Sequence, residues 1–547
     1  MLGLMMNTPL LVSSILRHAE NYNGDSEIVS RTVEGGTHRY SYADMAARAK
    51  KVANALAKFG LSPGDRVGTL AWNGYRHLEL YYGISGAGYV CHTINPRLFH
   101  DQIEFIISHA GDQILFSDLS FLPILESLAP VLKGLKAVVI LTDRAHMPVS
   151  EVLDLLCYEE LIADESDSYD WPEFDENTAC ALCYTSGTSG APKGVLYSHR
   201  SVVLHAMASS SADIMSISSS ETVCPVVPMF HVNAWGMPYS VPMIGAKLVL
   251  PGAKLDGASL FSLFEEEGVT ITAGVPTVWM GLLDWMDAHG RHFTTLKRAV
   301  IGGSAPAPAL ITRFRDKGVN VRHAWGMTET SPIGLASSLK PKHAVLDDEA
   351  RLMLEAKQGR PVFGMEFRIE GTDGNPVPRD GKSYGAMLVR GPWVAAGYFN
   401  TPESPAHSGG WFDTGDVVTM DADGFVQIVD RNKDVVKSGG EWISSIELEN
   451  IAQSHSAVKE AAVVARADAR WGERPVLVVV LRDGARFTRD DMVDLFTDRI
   501  SKWSIPEDLV VVDELPHTAT GKLLKMKIRE IVAARFAAME PDDSILS

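Results

Sequence analysis

The chain has 547 residues, 46% of them hydrophobic and 22% charged, which indicates a globular protein of several domain-sized units with ample core. A net charge of −18 argues against a nucleic-acid-binding protein, because such a protein needs a basic face. Five cysteines indicate a reducing compartment, and without a signal-like N-terminus or an apolar stretch of ~18 residues we expect a cytoplasmic protein with no membrane span.

The N-terminal part of the chain alternates helical periodicity with short apolar runs. Small and apolar residues recur near a 3.6-residue period over residues 41–60, which predicts a helix, and residues 77–85 predict another. Predicted strands lie at 66–70, 138–141, 179–183, 247–250 and 299–301. Strands separated by helices predict βαβ units with largely parallel sheets, whose ligands lie beyond the carboxyl ends of the strands.

From about Gly385 the pattern changes to short strands and turns. Apolar runs at 387–389 and 424–429 precede a charged stretch, residues 430–434. The remaining predicted elements are a helix at 446–455, strands at 458–464 and 475–481, and a helix at 490–500. We therefore predict a domain of residues 1–432 and a small α+β domain of residues 433–547, with the hinge at Lys433.

A donor-rich loop, YTSGTSGAPKG at residues 184–194, directly follows a predicted strand. Its glycines allow close backbone approach to an anion, and its exposed N–H groups can form an anion-binding nest. Hydroxyl donors come from Thr185, Ser186, Thr188 and Ser189, and Lys193 adds a positive charge. The loop lacks the spacing of a Walker A motif. It predicts a polyphosphate site, and the alternative is a surface turn that binds nothing.

Three further clusters carry groups that suit a nucleotide. In WGMTE, residues 325–329, an aromatic ring can stack on a base and Glu329 can hold Mg²⁺. Asp416 offers a carboxylate for ribose hydroxyls, and Arg431 could serve the same sugar or a phosphate. Lys522 ends a second glycine–lysine loop. Read singly, each cluster could be an ordinary surface turn.

Together and in this order, the segments YTSGTSGAPKG, WGMTE, WFDTGD, DRNKDVVKSGGEWIS and TATGK resemble the adenylate-forming superfamily, which includes acyl-CoA synthetases and luciferases. The resemblance implies an α/β fold. A large N-terminal domain of βαβ-type sheets plus a small β-barrel-like part would be followed by a small mobile α+β C-terminal domain. It also implies two reaction steps, acyl adenylation and then thioester formation, with ATP, Mg²⁺ and CoA as cofactors or co-substrates.

The resemblance assigns roles to particular positions. The residues expected to bind ATP or AMP are Thr185, Ser186, Gly187, Thr188, Ser189, Gly190, Ala191, Pro192, Lys193, Gly303, Ser304, His323, Ala324, Trp325, Gly326, Thr328, Asp416, Arg431 and Lys522. Those expected to line the acyl pocket are His231, Trp235, Gly302, Gly303, Pro306, Trp325, Gly326 and Met327. Those expected near CoA are Lys437, Gly439, Gly440, Trp442 and Glu473. The expected catalytic groups are Lys522, Lys437 and Glu329, and the expected metal ligands are Thr185 and Glu329.

The segment 227–236, VPMFHVNAWG, points to the class of acid. It contains no acidic side chain to pair a substrate ammonium, which disfavours amino acids because an unpaired buried charge is costly. FHVNAW resembles the fatty-acyl-CoA synthetase branch, and within it bacterial medium-chain and 3-methylmercaptopropionate–CoA ligases. We expect a short acid, best 3-(methylthio)propanoate, since sulfur–aromatic contacts add ~0.3–1.5 kcal/mol.

Several alternatives remain open from the sequence. A general medium- or long-chain fatty-acyl-CoA synthetase would carry the same motifs. A luciferase-like oxygenase would also carry them. A catalytically silent AMP-binding sensor would be expected to lose Lys522 or Glu329, and both residues are present. The expected partners are a carboxylic acid, ATP and CoA, with no nucleic acid, and the expected assembly is a homodimer.

Overall fold

The computed structural model describes residue 1 and residues 3–185, 191–371, 373–401, 403–438, 441–497, 499–517 and 523–537. Within these residues the chain forms two compact units. The first comprises residues 1–185, 191–366 and 389–412, and the second comprises residues 367–388 and those from 413 onward. The domain boundary expected at Lys433 stays a prediction.

The strands are β1 (Glu27–Arg31), β2 (Thr37–Ser41), β3 (Arg66–Leu70), β4 (Val90–Thr93), β5 (Asp112–Ser117), β6 (Ala137–Ile140), β7 (Leu155–Cys157), β8 (Ala179–Tyr184), β9 (Gly194–Ser198), β10 (Thr222–Pro225), β11 (Lys247–Leu250), β12 (Ile271–Gly274), β13 (Arg298–Ile301), β14 (Asn320–Gly326), β15 (Ile333–Ala336), β16 (Arg360–Pro361), β17 (Glu366–Glu370), β18 (Tyr384–Arg390), β19 (His407–Ser408), β20 (Trp411–Met420), β21 (Val426–Arg431), β22 (Val436–Ser438), β23 (Glu441–Ile443), β24 (Val458–Asp468), β25 (Gly472–Leu481) and β26 (Asp508–Val512). The α-helices span Val12–Tyr22, Tyr42–Ala57, Tyr75–Gly86, His100–Ala110, Leu122–Ser127, Ala129–Leu132, Tyr158–Ala163, His199–Ser209, Met237–Ile244, Gly257–Glu267, Pro276–Ala288, Pro308–Asp316, Asp348–Ala356, Ser445–Gln453, Arg489–Phe496 and Lys525–Ala537.

The first unit contains two large, mostly parallel sheets. One has nine strands in the order β16-β15-β14-β13-β12-β10-β11-β1-β2, and the other has seven in the order β7-β6-β5-β3-β4-β8-β9. The pairs from β1 through β11, β10, β12 and β13 to β14 are parallel, as are those joining β7, β6, β5, β3, β4 and β8. Candidate site segments follow the carboxyl ends of β8, β13 and β14, as predicted for such sheets.

The helix Tyr42–Ala57 shows how the sequence determines packing in this unit. Ser41 caps its N-terminus in a capping box with Asp44, which satisfies backbone N–H groups that have no partner within the helix. Its small buried side chains face the helix Tyr75–Gly86. A Cβ on Gly83 would lie 2.6 Å from Val52 Cγ1, so glycine is needed for this close approach.

In the second unit, β17, β18 and β20 lie side by side and β21 pairs with β20, while β23, β22, β25, β24 and β26 form a further sheet. The long strands β24 and β25 are covered on both faces, which explains the apolar runs at residues 461–465 and 475–481 within them. Ala461 and Val463 pack in one core with the helices Ser445–Gln453 and Arg489–Phe496. Ala462 and Val464 pack in another with Ile528 and Val532 of the last helix, Lys525–Ala537.

The predicted elements are found where the sequence indicated, with one correction. The helix predicted over residues 490–500 spans Arg489–Phe496, because Thr497 has left the helical conformation with ψ of 137°. The α/β fold class, with a large N-terminal sheet domain and a small C-terminal one, is confirmed. Cys180 and Cys183 are buried, free strand residues, as interpreted from their apolar neighbours. Among the described residues, no helix is both long and apolar enough to cross a membrane.

Candidate active site

The phosphate-loop candidate is a hairpin between β8 and β9, which pair in antiparallel fashion up to Tyr184 and Gly194. Beyond that pair, the Thr185 amide donates to the Lys193 carbonyl at 2.9 Å, and the Lys193 amide donates to Thr185 Oγ1 at 3.2 Å. The two ends of the loop are therefore fixed to each other. Residues Ser186, Gly187, Thr188, Ser189 and Gly190 lie outside the described residues. Ala191 and Lys193 are exposed, and Pro192 is buried.

Buried polar side chains support the base of this loop. Tyr184 Oη lies 2.7 Å from His109 Nδ1, and burial raises the pKa of Tyr184. The His92 ring lies 5.2 Å from the Tyr184 ring and its Nδ1 is 2.8 Å from Asp112 Oδ2. Burial also raises the pKa of Asp112. Tyr184, at which the loop begins, is therefore held in place by polar side chains in a poorly solvated environment.

The second segment, 325–329, starts with the last two residues of β14 and enters a single 3₁₀ turn at Thr328. Glu329 is only 5% exposed, and its Oε1 accepts a hydrogen bond of 2.7 Å from Tyr398 Oη. The Lys193 ammonium lies 4.8 Å from the centre of the Tyr398 ring. The structure therefore brings two predicted site residues, Lys193 and Glu329, to one tyrosine. Tyr398 lies in none of the predicted site segments.

Further predicted site residues, at positions 302–306, follow β13, and His323 lies in β14. Gly302 and Pro306 are buried, whereas Gly303 and Ser304 are exposed. His323 is buried, its Nδ1 lies 2.9 Å from the Ala356 carbonyl, and burial lowers its pKa to about 4. The His323 ring is thus neutral at pH 7 and engaged with the backbone. Its predicted contact with the nucleotide stays a prediction.

The acyl-pocket candidate has an unusual backbone. Val232, Asn233, Ala234 and Trp235 all have positive φ, between 46° and 56°, and Gly236 follows at 77°. A left-handed conformation costs ~1–2 kcal/mol per non-glycine residue. The surrounding contacts must therefore hold this left-handed turn, which we define as residues 232–235.

Asn233 is the buried anchor of the left-handed turn. Its Oδ1 lies 3.3 Å from Tyr81 Oη, 3.4 Å from Thr93 Oγ1 and 3.2 Å from Cys183 Sγ, all of them donors. Tyr81 also donates to the carbonyl of Met229 at 2.5 Å. These bonds tie the turn to the strands β4 and β8 beneath it.

The left-handed turn directs Trp235 toward the other acyl-site residues. A Cβ built on Gly302 would lie 3.1 Å from Trp235 Cη2 and 2.8 Å from the Ala324 carbonyl. Gly302 is therefore the residue that allows the indole ring to approach the end of β14. Trp235 and Trp325 are each 7% exposed. Three segments separated in sequence meet here, and Met327 follows the last of them in the chain; their predicted contact with the acid stays a prediction.

In the second unit, the predicted ribose residues are adjacent. Asp416 and Arg431 are directly paired across β20 and β21, and Arg431 Nε lies 2.8 Å from Asp416 Oδ1. The carboxylate is 1% exposed. Arg431 also donates to the Thr414 carbonyl at 3.1 Å. An ordered ion pair of this kind presents a fixed acceptor and donor for sugar hydroxyls.

The predicted CoA residues that are described also lie together. The Lys437 amide donates to Glu473 Oε2 at 2.7 Å, and the Lys437 ammonium lies 5.7 Å from the Trp442 ring centre. Trp442 stacks on Tyr384 at 5.5 Å. Gly439 and Gly440 lie outside the described residues, as does Lys522.

The hinge candidate Lys433 lies in an exposed turn. Its carbonyl accepts a bond of 2.9 Å from Arg529, which also pairs with Asp434 at 2.6 Å. Nearby, the half-buried Lys525 pairs with Glu449 at 2.7 Å, next to Asp430. The turn is therefore tied to the last helix by charged side chains.

Comparison with known proteins identifies the family. A family model described as AMP-binding enzyme matches residues 15–399, and an AMP-binding enzyme C-terminal domain matches residues 447–522. The chain is 49% identical to a 3-methylmercaptopropionyl-CoA ligase of Ruegeria lacuscaerulensis, over 97% of this chain and 98% of the relative. It is 48% identical to a medium-chain-fatty-acid–CoA ligase of Ectopseudomonas oleovorans, over 97% of each. The crystal structure of an anthranilate CoA ligase in complex with anthranoyl-AMP superposes with a TM-score of 0.84 at 24% identity, covering 98% of this chain and 99% of that one.

The chain therefore belongs to the AMP-binding enzyme family. The prediction of an adenylate-forming acid–thiol ligase is confirmed at the level of the family and of its relatives. The individual roles of the site residues stay predictions. Tyr398 lies outside the quoted motifs, and Asn233 lies within FHVNAW, but neither residue was predicted to matter because a single tyrosine or asparagine carries no signal of its distant partners.

Proposed function

We propose that this protein is an ATP-dependent acid–thiol ligase that converts a short carboxylic acid, best 3-(methylthio)propanoate, into its CoA thioester. The carboxylate attacks the α-phosphorus of ATP and gives acyl-AMP and pyrophosphate. The CoA sulfur then attacks the acyl carbon, and AMP leaves. The observation that carries the proposal is the convergence of the left-handed turn, Gly302 and the end of β14 beside the segment that holds Glu329.

In the first step the protein mainly aligns the reactants and stabilises charge, because phosphoryl chemistry needs little covalent help. The loop Thr185–Lys193 would hold the phosphates. Asp416 and Arg431 would hold the ribose, and Lys522 would neutralise charge developing between the carboxylate and the α-phosphate. The ordered loop base and the ion pair supply the rigidity that such alignment needs.

Glu329 and Thr185 would hold Mg²⁺ in this site. The donor chemistry fits, because Mg²⁺ in nucleotide enzymes is bound by one or two oxygen ligands together with the substrate phosphates. When bound, the metal would offset negative charge on the phosphate oxygens.

For the second step we propose that residues 433–547 pivot at Lys433 and bring Lys437, Trp442 and Glu473 to the thiol. The bonds from Arg529 to the hinge turn make the pivot a defined turn rather than a loose linker. Lys437 would serve the thioester step only. This division assigns one lysine to each half-reaction.

The acyl assignment rests on Trp235, whose ring would close the pocket after a short tail. The relatives at 49% and 48% identity are named for a thioether acid and for medium-chain acids, so their names do not choose between these substrates. The choice depends on the side chains proposed to line the acyl pocket. The indole ring and Met327 are soft, polarisable walls that favour sulfur. A general medium-chain synthetase is the second candidate, favoured by the 48% relative.

The test is a panel of acids assayed for CoA-dependent AMP release. Pentanoate is the matched control for 3-(methylthio)propanoate, since the two differ by CH₂ in place of sulfur. We expect the thioether acid to be preferred by about two- to tenfold. Methionine against 4-(methylthio)butanoate tests the ammonium group, and we expect methionine to be inactive.

Other outcomes would contradict the proposal in distinct ways. A maximum at dodecanoate or beyond would favour a long-chain synthetase. Oxygen uptake or light with a luciferin would favour an oxygenase, and absence of AMP release with every acid would favour a nucleotide sensor.

We infer further that the protein works in the cytoplasm as a homodimer. All five cysteines are free and buried, which fits a reducing compartment. Size-exclusion chromatography with light scattering measures the assembly directly, and a monomer mass would contradict the dimer.

A further inference from the structure

Residues 393–399, which we define as the strap, run across two parts of the candidate active site in the first unit. The Ala395 amide donates to the Glu329 carbonyl at 2.7 Å, and Ser331 Oγ donates to the Trp393 carbonyl at 2.8 Å. At its other end, the Phe399 amide donates to the Gly194 carbonyl at 2.8 Å. One short segment therefore holds both the Glu329 segment and the end of the phosphate loop.

The approach at the loop is close enough to restrict the sequence. A Cβ built on Gly194 would lie 3.1 Å from Phe399 Cβ and 3.2 Å from side-chain atoms of Leu182 and Tyr184. A larger residue would push the strap away from the loop. The strap and the loop are thus in direct contact.

Tyr398 is the strap residue whose side chain contacts both functional groups. Its hydroxyl donates to Glu329 Oε1 at 2.7 Å, and its ring face lies 4.8 Å from the Lys193 ammonium. Tyr398 is 9% exposed and Glu329 5%, so their hydrogen bond lies in a poorly solvated environment where it is stronger than in water, whereas the Lys193 side chain is exposed. The His407 ring packs edge-on against Tyr398 at 5.2 Å and limits rotation of the phenol.

We propose that Tyr398 is a positioning residue for MgATP, which fixes the Glu329 carboxylate relative to the Lys193 ammonium. This inference rests on the proposed function, in which Glu329 holds the metal and Lys193 the phosphates. One hydrogen bond on Oε1 sets the orientation of the carboxylate, and a carboxylate retains acceptor capacity for a cation. The ring face supports the ammonium through cation–π attraction.

The two contacts can be separated by single substitutions. Tyr398→Phe removes the hydroxyl and keeps the ring beneath Lys193. The matched control is Tyr197→Phe, because Tyr197 is also buried and its hydroxyl donates to the neighbouring Thr328 carbonyl at 2.7 Å. Only the first variant loses a bond to the carboxylate.

The experiment measures the Mg²⁺ dependence of ATP–pyrophosphate exchange, together with calorimetric binding of Mg²⁺ and α,β-methylene-ATP without turnover. Wild type, Glu329→Gln, Tyr398→Phe, Tyr197→Phe and the double variant Glu329→Gln/Tyr398→Phe are compared, with melting curves to check folding. We expect Tyr398→Phe to raise both the Mg²⁺ concentration for half-maximal exchange and the Kd of the analogue about tenfold. This factor corresponds to the loss of one hydrogen bond to a charged group. Tyr197→Phe should stay within about twofold of the wild type. In the Glu329→Gln background, Tyr398→Phe should have little further effect, because the two residues act as one unit.

Each other result overturns a defined statement. If Glu329→Gln weakens the metal dependence and Tyr398→Phe matches the wild type, the inference is wrong and the proposed function stands. If Tyr197→Phe weakens binding as much as Tyr398→Phe, the effect is general loss of a buried hydroxyl, and the inference is also wrong. If Glu329→Gln has no effect on the metal dependence, the metal assignment itself fails, and the inference fails with it. Full additivity in the double variant would show that Tyr398 does not act through Glu329.

Discussion

At the residue scale, the proposed function makes the length of the acyl tail depend on one indole ring. Trp235 lies against Gly302, which also approaches the Ala324 carbonyl, and it stands near the end of the segment proposed to bind the acid. Each additional buried CH₂ is worth ~0.8 kcal/mol, about fourfold in affinity, until the tail meets this wall. Beyond that length, overpacking costs ~1–3 kcal/mol.

We therefore expect Trp235→Ala to move the optimum toward longer acids and to weaken short ones through lost contact. The measurement is kcat/KM for acids from acetate to dodecanoate, with the wild type assayed in parallel. The KM for ATP is the internal control and should not change. An unchanged optimum would show that Trp235 is a core residue that the acid does not reach.

At the element scale, the left-handed turn is the part of the fold most clearly shaped for a site. Four consecutive non-glycine residues with positive φ would unwind if nothing held them, since each costs ~1–2 kcal/mol. Strain of this kind persists only where surrounding contacts fix the conformation. Asn233 provides those contacts through Tyr81, Thr93 and Cys183.

Asn233→Ala should release the turn and leave three buried donors with one acceptor fewer. We expect a loss of ~1–3 kcal/mol in the free energy of unfolding, the range for buried polar groups that lose a partner. Because the turn carries Trp235, the KM for the acid should also rise while the KM for ATP stays constant. A lowered melting temperature without a change in the acid profile would mean that Asn233 only stabilises the fold.

The elements also show which features a sequence can predict. The helix Tyr42–Ala57 and the buried strands β24 and β25 follow from apolar periodicity and apolar runs, because burial dictates both. The left-handed turn could not be predicted from the sequence, since FHVNAW contains no glycine or proline and Gly236 comes only after it. The contact of Tyr398 with Glu329 joins residues 69 apart, and only the folded strap brings them together.

At the scale of the whole molecule, the proposed chemistry is divided between segments that lie in separate compact units. The two ends of the phosphate loop, Thr185 and Lys193, belong to the first unit with Glu329 and the left-handed turn, whereas the Asp416–Arg431 pair and Lys437 belong to the second. In the proposed mechanism, Lys522 acts in the first step and Lys437 in the second. The two half-reactions should therefore be separable by mutation.

Lys522→Ala is expected to abolish acyl-AMP formation while conversion of supplied acyl-AMP and CoA into thioester continues. Removal of one group that stabilises developing charge costs ~10²–10³ in rate, and Lys522 is proposed to supply that group in the first step alone. Lys437→Ala is the matched control and should show the reverse pattern, with pyrophosphate exchange retained and thioester formation reduced. Both rates are measured on each variant, with melting curves to show that the fold is intact. Pyrophosphate exchange at the wild-type rate in Lys522→Ala would refute the assignment of this lysine. Equal losses in both steps for both variants would refute the assignment of one lysine to each step, because one shared pose of the protein would then serve the entire reaction.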